Sequence, residues 1–192
     1  MDLLLLKSLL EQARVRFAPG LTAAEFRKIE GTYSFIFPPD LREFLAYALP
    51  VSERWVNWRD ASDALIRDWL NEPYDGICFD IEYNHFWWKD WGEKPASLQE
   101  SFAVAKQSID RAPKLIPIYS HRFVPDHPNF PGNPVYSVVQ TDIICYGIDL
   151  EAYLQVEFHF SIPQYEPPKS ERRIDFWSEL IEWADPNAYQ AG

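Results

Sequence analysis

Glycine is scarce in this 192-residue chain, seven against 16 prolines, so its turns are rigid rather than flexible. Glycine-rich phosphate cradles are correspondingly missing, and no nucleotide-binding fingerprint is present. Cysteine is scarcer still. Cys78 and Cys145 sit in apolar runs and lack the C-x-x-C spacing of zinc or redox sites, which reads as two reduced, buried thiols and a cytoplasmic location. Basic residues are in short supply, 18 against 29 acidic, leaving a net charge of −11. Like charge opposes an encounter with nucleic-acid phosphate or anionic lipid, so the expectation is no nucleic acid, no membrane and a basic protein partner. No apolar run approaches the roughly 20 residues of a spanning helix. The opening Met1-Asp2 has an acid where an export signal carries Lys or Arg, and Lys7 cuts the apolar run that follows, so no signal peptide is read there.

What the chain does have is apolar and aromatic substance: 47% apolar residues and 16% aromatic ones, ample for a packed core and incompatible with disorder. Residues 1–192 read as one domain. Its charge is unevenly placed. Residues 31–100 hold 13 acidic groups against six basic ones, whereas residues 1–30 are nearly balanced.

Periodicity divides the chain into segments. Leu3, Leu6, Leu10 and Ala13 recur at helical spacing, predicting a helix over 2–14. Thr22-Ala23-Ala24-Glu25 is a capping box with Leu21 and Phe26 as its hydrophobic staple, predicting a helix from Ala23. Pro38-Pro39-Asp40 opens another, with Leu41, Phe44, Leu45 and Ala48 in register, before Pro50 stops it. Asp60 or Ser62 caps a further helix carrying Leu65 and Trp69.

From Asp75 the period reads as two. Ile77, Phe79, Ile81 and Tyr83 alternate with Cys78, Asp80 and Glu82, predicting a strand whose aromatic face is buried. A helical stretch follows from Ser97 to Arg111. Leu115–Tyr119 is a strand placed at an edge or bulge by Pro117. Residues 120–134 read as a loop, and Val135–Gln140 with Ile143–Tyr146 as a hairpin or one bent strand. A helical turn over Asp149–Leu154, a strand over Val156–Phe160, a proline-rich linker over Pro163–Arg173 and a helix at about 174–184 complete the chain. Helices first, strands next and a final helix give an α+β domain with a single mixed or antiparallel sheet and helices packed against it.

Three groups of residues are candidates for chemistry or binding. Two apart on a strand, Asp80 and Glu82 would leave one face together, as a general acid/base pair does; the alternative is a solvated acidic strand face. Trp87, Trp88 and Trp91 are core on one side or, where exposed beside carboxylates, an aromatic anchor for a partner. Arg122 is a cation presented by a proline-rich loop or, alternatively, paired internally with Asp142. His121, Asp126 and His127 share one loop, but a zinc site recruits ligands across elements, so no metal is expected. No Gly-x-Ser-x-Gly elbow or Cys/His pattern offers a nucleophile, and no cofactor is called for.

The run Gly20-Leu21-Thr22-Ala23-Ala24-Glu25 followed by Phe37-Pro38-Pro39-Asp40-Leu41-Arg42-Glu43-Phe44-Leu45 resembles the opening of the SUKH superfamily. The later motifs Phe79-Asp80-Ile81-Glu82, Phe86-Trp87, Trp91-Gly92, Pro113–Tyr119, His121-Arg122, Gly132–Val138 and Thr141–Gly147 are similar to a bacterial branch of it. The likeness spans about 18–160, leaving the terminal helices as decorations. The turn after the second helix departs from the pattern, carrying Ala48-Leu49-Pro50 in place of Asn or Gly. The superfamily includes fungal cell-wall assembly regulators and bacterial toxin-immunity proteins. The resemblance therefore implies helices around one mixed sheet and binding of a partner protein rather than catalysis. The expectation is an immunity protein that neutralises a basic toxin. A regulatory scaffold using Pro163–Arg173 for recruitment is the alternative, and a hydrolase using Asp80 and Glu82 is the third reading. Asp80, Glu82, Trp87, Trp88, Trp91 and Arg122 are the expected partner-binding residues.

Overall fold

A computed structural model describes residues 1–184 and is α+β. The N-terminal part is helical. Helix α1 (Leu3–Gln12) is capped by Asp2, whose carboxylate accepts from Leu5 N at 3.0 Å, and buries Leu6 and Leu10. Strand β1 (Phe17–Pro19) leads into α2 (Ala23–Tyr33), where the capping box is formed as expected: Glu25 N donates to Thr22 Oγ1 at 3.2 Å and Thr22 N to Glu25 Oε2 at 2.8 Å. Helix α3 (Pro39–Tyr47) starts on its proline and ends in β2 (Ala48–Pro50). Phe17 pairs with Pro50 and Pro19 with Ala48, so the Ala48-Leu49-Pro50 segment after α3 is used as a strand of a small antiparallel ribbon.

The second part is a four-stranded antiparallel sheet, in the order β3 (Leu115–Tyr119), β4 (Arg122–Pro125), β5 (Val135–Val139), β6 (Asp142–Gly147). Strand β3 is at the edge and its register shifts between Pro117 and Tyr119, so both roles expected of Pro117 are filled. Strands β5 and β6 form a hairpin about Gln140-Thr141. Strand β4 corrects the expected loop over 120–134. Its four residues are all buried, yet four residues are too few to display an alternation.

Alternation of side chains across the pleat separates two cores. One face carries Ile116, Ile118, Val124 and Val135, which join α1, α2, α3 and Leu150, Tyr153 and Leu154 of α6 (Leu150–Phe158). The other carries Leu115, Phe123, Tyr136, Val138 and Ile143. It is covered by Ile77 and Ile81 of α4 (Asp63–Tyr83), Ala105 of α5 (Leu98–Ile109) and Trp177, Leu180 and Ile181 of α7 (Trp177–Ala184). Each fully buried Leu, Ile or Phe contributes roughly 1.5–3 kcal/mol. Helix α6 replaces the strand expected over 156–160, because Asp149 caps it through Ala152 N at 2.8 Å and Leu150, Tyr153 and Leu154 make one helical face.

The largest correction concerns residues 75–83, which are not a strand but the second half of α4, a helix of 21 residues capped by Ser62. Ile66, Leu70, Pro73, Ile77 and Ile81 form one row at helical spacing, with Ile66 and Leu70 in the first core and Ile77 and Ile81 in the second. Ile77 and Ile81 are one turn apart and fit a period of two as well as 3.6. Phe79 and Tyr83, which do not, are 44% and 61% exposed. Pro73 withholds a hydrogen bond inside the helix, and burial of this row on both sides overrides that loss.

Candidate functional site

The helical course of 75–83 separates Asp80 from Glu82, since two residues on a helix turn through about 200°. The expected acid/base pair is therefore not formed. Asp80 is 4% exposed and fully occupied: its Oδ2 accepts from Thr141 N at 2.8 Å and Thr141 Oγ1 at 2.5 Å, and its Oδ1 from Asn84 Nδ2 at 2.5 Å. It fastens the β5–β6 turn to α4. One turn earlier, Gly76 lets that turn approach, for a Cβ there would lie 2.7 Å from Gln140 Cα. Glu82 points to solvent.

Arg122 corrects a second expectation, being 8% exposed and paired with neither a partner surface nor Asp142. Its Nε meets Glu157 Oε2 at 3.0 Å, its NH1 donates to Ser137 Oγ at 2.8 Å, and its guanidinium lies 3.8 Å from the Tyr146 ring centre. The register explains this. Arg122 stands opposite Ser137, whose partner on β6 is Ile144, while Asp142 sits at the hairpin end. His121 Nδ1 lies 3.2 Å from Ser120 Oγ. Burial, and then Arg122, hold its imidazole below the usual value. Asp126 accepts from Lys114 N at 2.8 Å and contacts His127 Nδ1 at 2.9 Å. Among the described residues no group of His, Cys, Asp and Glu is placed to hold a metal. Cys78 and Cys145 are unpaired and half-buried, and burial pushes both thiols up, away from the thiolate form.

The tryptophans divide. Trp88 is 3% exposed and packs on Phe176 and Trp183, with ring centres 6.2 and 5.6 Å away, so it is core. Trp87 and Trp91 are half-buried, T-shaped to each other at 5.0 Å, and Trp87 Nε1 donates to Gly92 O at 2.8 Å. Lys94 ties this segment to the end of α4 through Ile81 O at 3.0 Å.

The feature missed from the sequence is the outer face of α4. Asp68, Glu72, Asp75 and Glu82 recur there at helical spacing, interleaved with exposed Leu65, Phe79 and Tyr83. The Phe79 and Tyr83 rings stand 4.7 Å apart. Among the described residues none of the four carboxylates has an ion pair, although eight such pairs form elsewhere in the described chain. Partial burial raises the Glu72 and Asp75 carboxyls above their usual values, and the negative charge of Asp75 on Glu72, and of Asp68 on Asp75, adds to it. Between this face and the β5–β6 turn runs an open groove of about 520 Å³, with Asp68, Glu72 and Asp75 on one wall and Val138, Val139 and Gln140 on the other. Such a groove suits a cationic side chain, whose methylene stem lies on Val139 while its head meets the carboxylates. The spacing of Asp68, Glu72 and Asp75 was a visible signal, interrupted on the page by Pro73.

No helix among the described residues is long and apolar enough to cross a membrane. Comparison of the chain with protein-family models, curated proteins and solved structures finds no match in any of the three.

Proposed function

We propose that this chain is a cytoplasmic, non-enzymatic protein-binding domain of the SUKH kind, an immunity protein that neutralises a basic toxin. The observation that carries the reading is the outer face of α4, where four carboxylates with no ion pair among the described residues alternate with Leu65, Phe79 and Tyr83. Uncompensated charge of one sign speeds the encounter with an oppositely charged partner, and exposed rings beside it supply contact area on docking. Half-buried Trp87 and Trp91 extend the supply of aromatic anchors. Asp80, Trp88 and Arg122 are assigned to the fold and drop out of the contact set. The scaffold reading has less support, because segment 163–173 is engaged: Tyr165 OH donates to Asp149 at 2.9 Å and Arg172 to Pro131 O at 2.9 Å.

Affinity purification of the full chain from its native host tests the reading, with a D68N/E72Q/D75N/E82Q variant as the second bait. The expected result is a stoichiometric basic protein retained by the wild type at about 50 mM salt, released by about 500 mM, and not retained by the variant. Capture of an acidic partner, or equal capture by both baits, contradicts it.

A further inference from the structure

A second concavity, on the opposite side of α4's buried row, has the reverse electrostatic character. It is a cleft of about 220 Å³ where the two cores meet. Leu70 from the first core and Leu115 and Trp177 from the second supply its apolar lining. Three cations from three elements line it: Arg67 on α4, Lys106 on α5 and Lys114 just before β3. In a chain of net charge −11 this convergence is against the composition.

One carboxylate, Asp110, also lines the cleft, so cations outnumber acids there by three to one. Lys114 Nζ donates to Tyr33 O at 3.1 Å and Ser34 O at 2.8 Å, which fixes it at the C-terminus of α2 and leaves a third N–H. Arg67 pairs with Asp63 and Lys106 with Asp110, each four residues apart with both partners exposed, an arrangement too weak to exclude a competing anion. Tyr33 and Tyr74 place rings beside Arg67 and Lys106, at 5.3 and 5.7 Å from the cationic groups. An apolar floor with a few convergent polar groups is the general form of a small-molecule site.

We propose that this cleft binds a small organic anion, with a compact apolar body on Leu70, Leu115 and Trp177 and a carboxylate or phosphate head at Arg67, Lys106 and Lys114. The inference is independent of the protein-binding reading, since none of these residues belongs to the outer face of α4. Titration of the full chain, followed by amide NMR shifts and calorimetry, uses 3-phenylpropionate and phenyl phosphate as probes and 3-phenylpropanamide as the neutral control. Saturable binding of either anion is expected, at least about tenfold tighter than the amide, with shifts clustered around residues 67–74 and 106–115. The anion that binds identifies the head group. Arg67→Gln and Lys106→Gln, both exposed positions, are each expected to weaken binding about three- to tenfold without changing the unfolding midpoint by more than a few degrees. Equal binding of the amide, unchanged affinity in both variants, or no saturation by about 10 mM of either anion overturns the proposal.

Discussion

Asp75 and Asp80 lie five residues apart on one helix and have opposite fates. Asp80 turns inward, accepts three hydrogen bonds and holds the β5–β6 turn; Asp75 turns outward among Asp68 and Glu72 and pairs with no cation among the described residues. Arg122 belongs with Asp80. It is inside, with Glu157, Ser137 and Tyr146 around it. The contrast teaches that a charge count does not locate function. A satisfied buried charge is fixing the fold, whereas a row of mutually repelling carboxylates is tolerated at some cost to stability and is available to a partner.

Substitutions on the inner side have the largest expected effects. Asp80→Ala strips the acceptor from Thr141 N–H and hydroxyl in a buried site and is expected to lower unfolding free energy by about 2–4 kcal/mol in urea titration. A loss below about 0.5 kcal/mol would place Asp80 with the outer carboxylates. Arg122→Met leaves Glu157, only 18% exposed, without its cation, at about 2–3 kcal/mol; the R122M/E157M double variant is expected to recover most of that loss, since the pair's removal leaves no orphan. Gly76→Ala drives a Cβ toward Gln140 Cα and is expected to cost about 1–2 kcal/mol by forcing the turn off the helix.

The outer face gives the smallest effect and the opposite sign. Glu72→Gln with Asp75→Asn relieves repulsion at helical spacing and is expected to stabilise the fold by a few tenths of a kcal/mol at neutral pH. Its pH dependence is diagnostic. Both carboxyls titrate higher in the folded state than their ordinary 4.5 and 3.8, so in the window just above those values the folded chain holds more protons. Their contribution to stability therefore grows as pH falls from neutral into that window and is absent in the double variant. Glu25 opposes them. The Arg59 hydrogen bond, followed by those from Thr22, lowers its pKa from 4.5 to about 2, so its contribution is present above 4.5 and is lost as pH falls toward 2. Thermal unfolding of wild type and double variant between about pH 7 and 4 reads the difference. Parallel curves would mean that neither partial burial nor a neighbouring carboxylate raises these two groups in the folded chain.

The helices of the first half were legible because local chemistry specifies them: the Thr22–Glu25 box, Pro39 at a first turn, and Asp60 or Ser62 as a cap, of which the structure uses Ser62. The α+β class was equally open to reading, whereas Val135–Gln140 and Ile143–Tyr146 read as a hairpin or one bent strand until the β5–β6 pairing decided it. The second half of α4 was not legible, because Ile77 and Ile81 satisfy two periods and Pro73 argues locally for a break that tertiary burial overrides. That one misreading displaced the candidate site. It put Asp80 and Glu82 on a common face and hid the row from Asp68 to Glu82. Arg122 was mislocated for a different reason, since its partner Glu157 lies 35 residues away and only the β4–β5–β6 register and the docking of α6 bring them together. Trp88 and Trp87, neighbours in sequence, could be sorted into core and half-exposed only by the packing of Phe176 and Trp183.

The claim that unpaired outer charge is the partner-binding determinant is tested most directly by stopped-flow association of the captured partner with wild type and with D68N/E72Q/D75N/E82Q across a salt series. A wild-type association rate that falls at least about tenfold between about 50 and 500 mM salt, converging at high salt on a slow and flat rate for the variant, is the predicted result. Wild-type and variant rates that are equal at low salt, or a wild-type rate indifferent to salt, would contradict it.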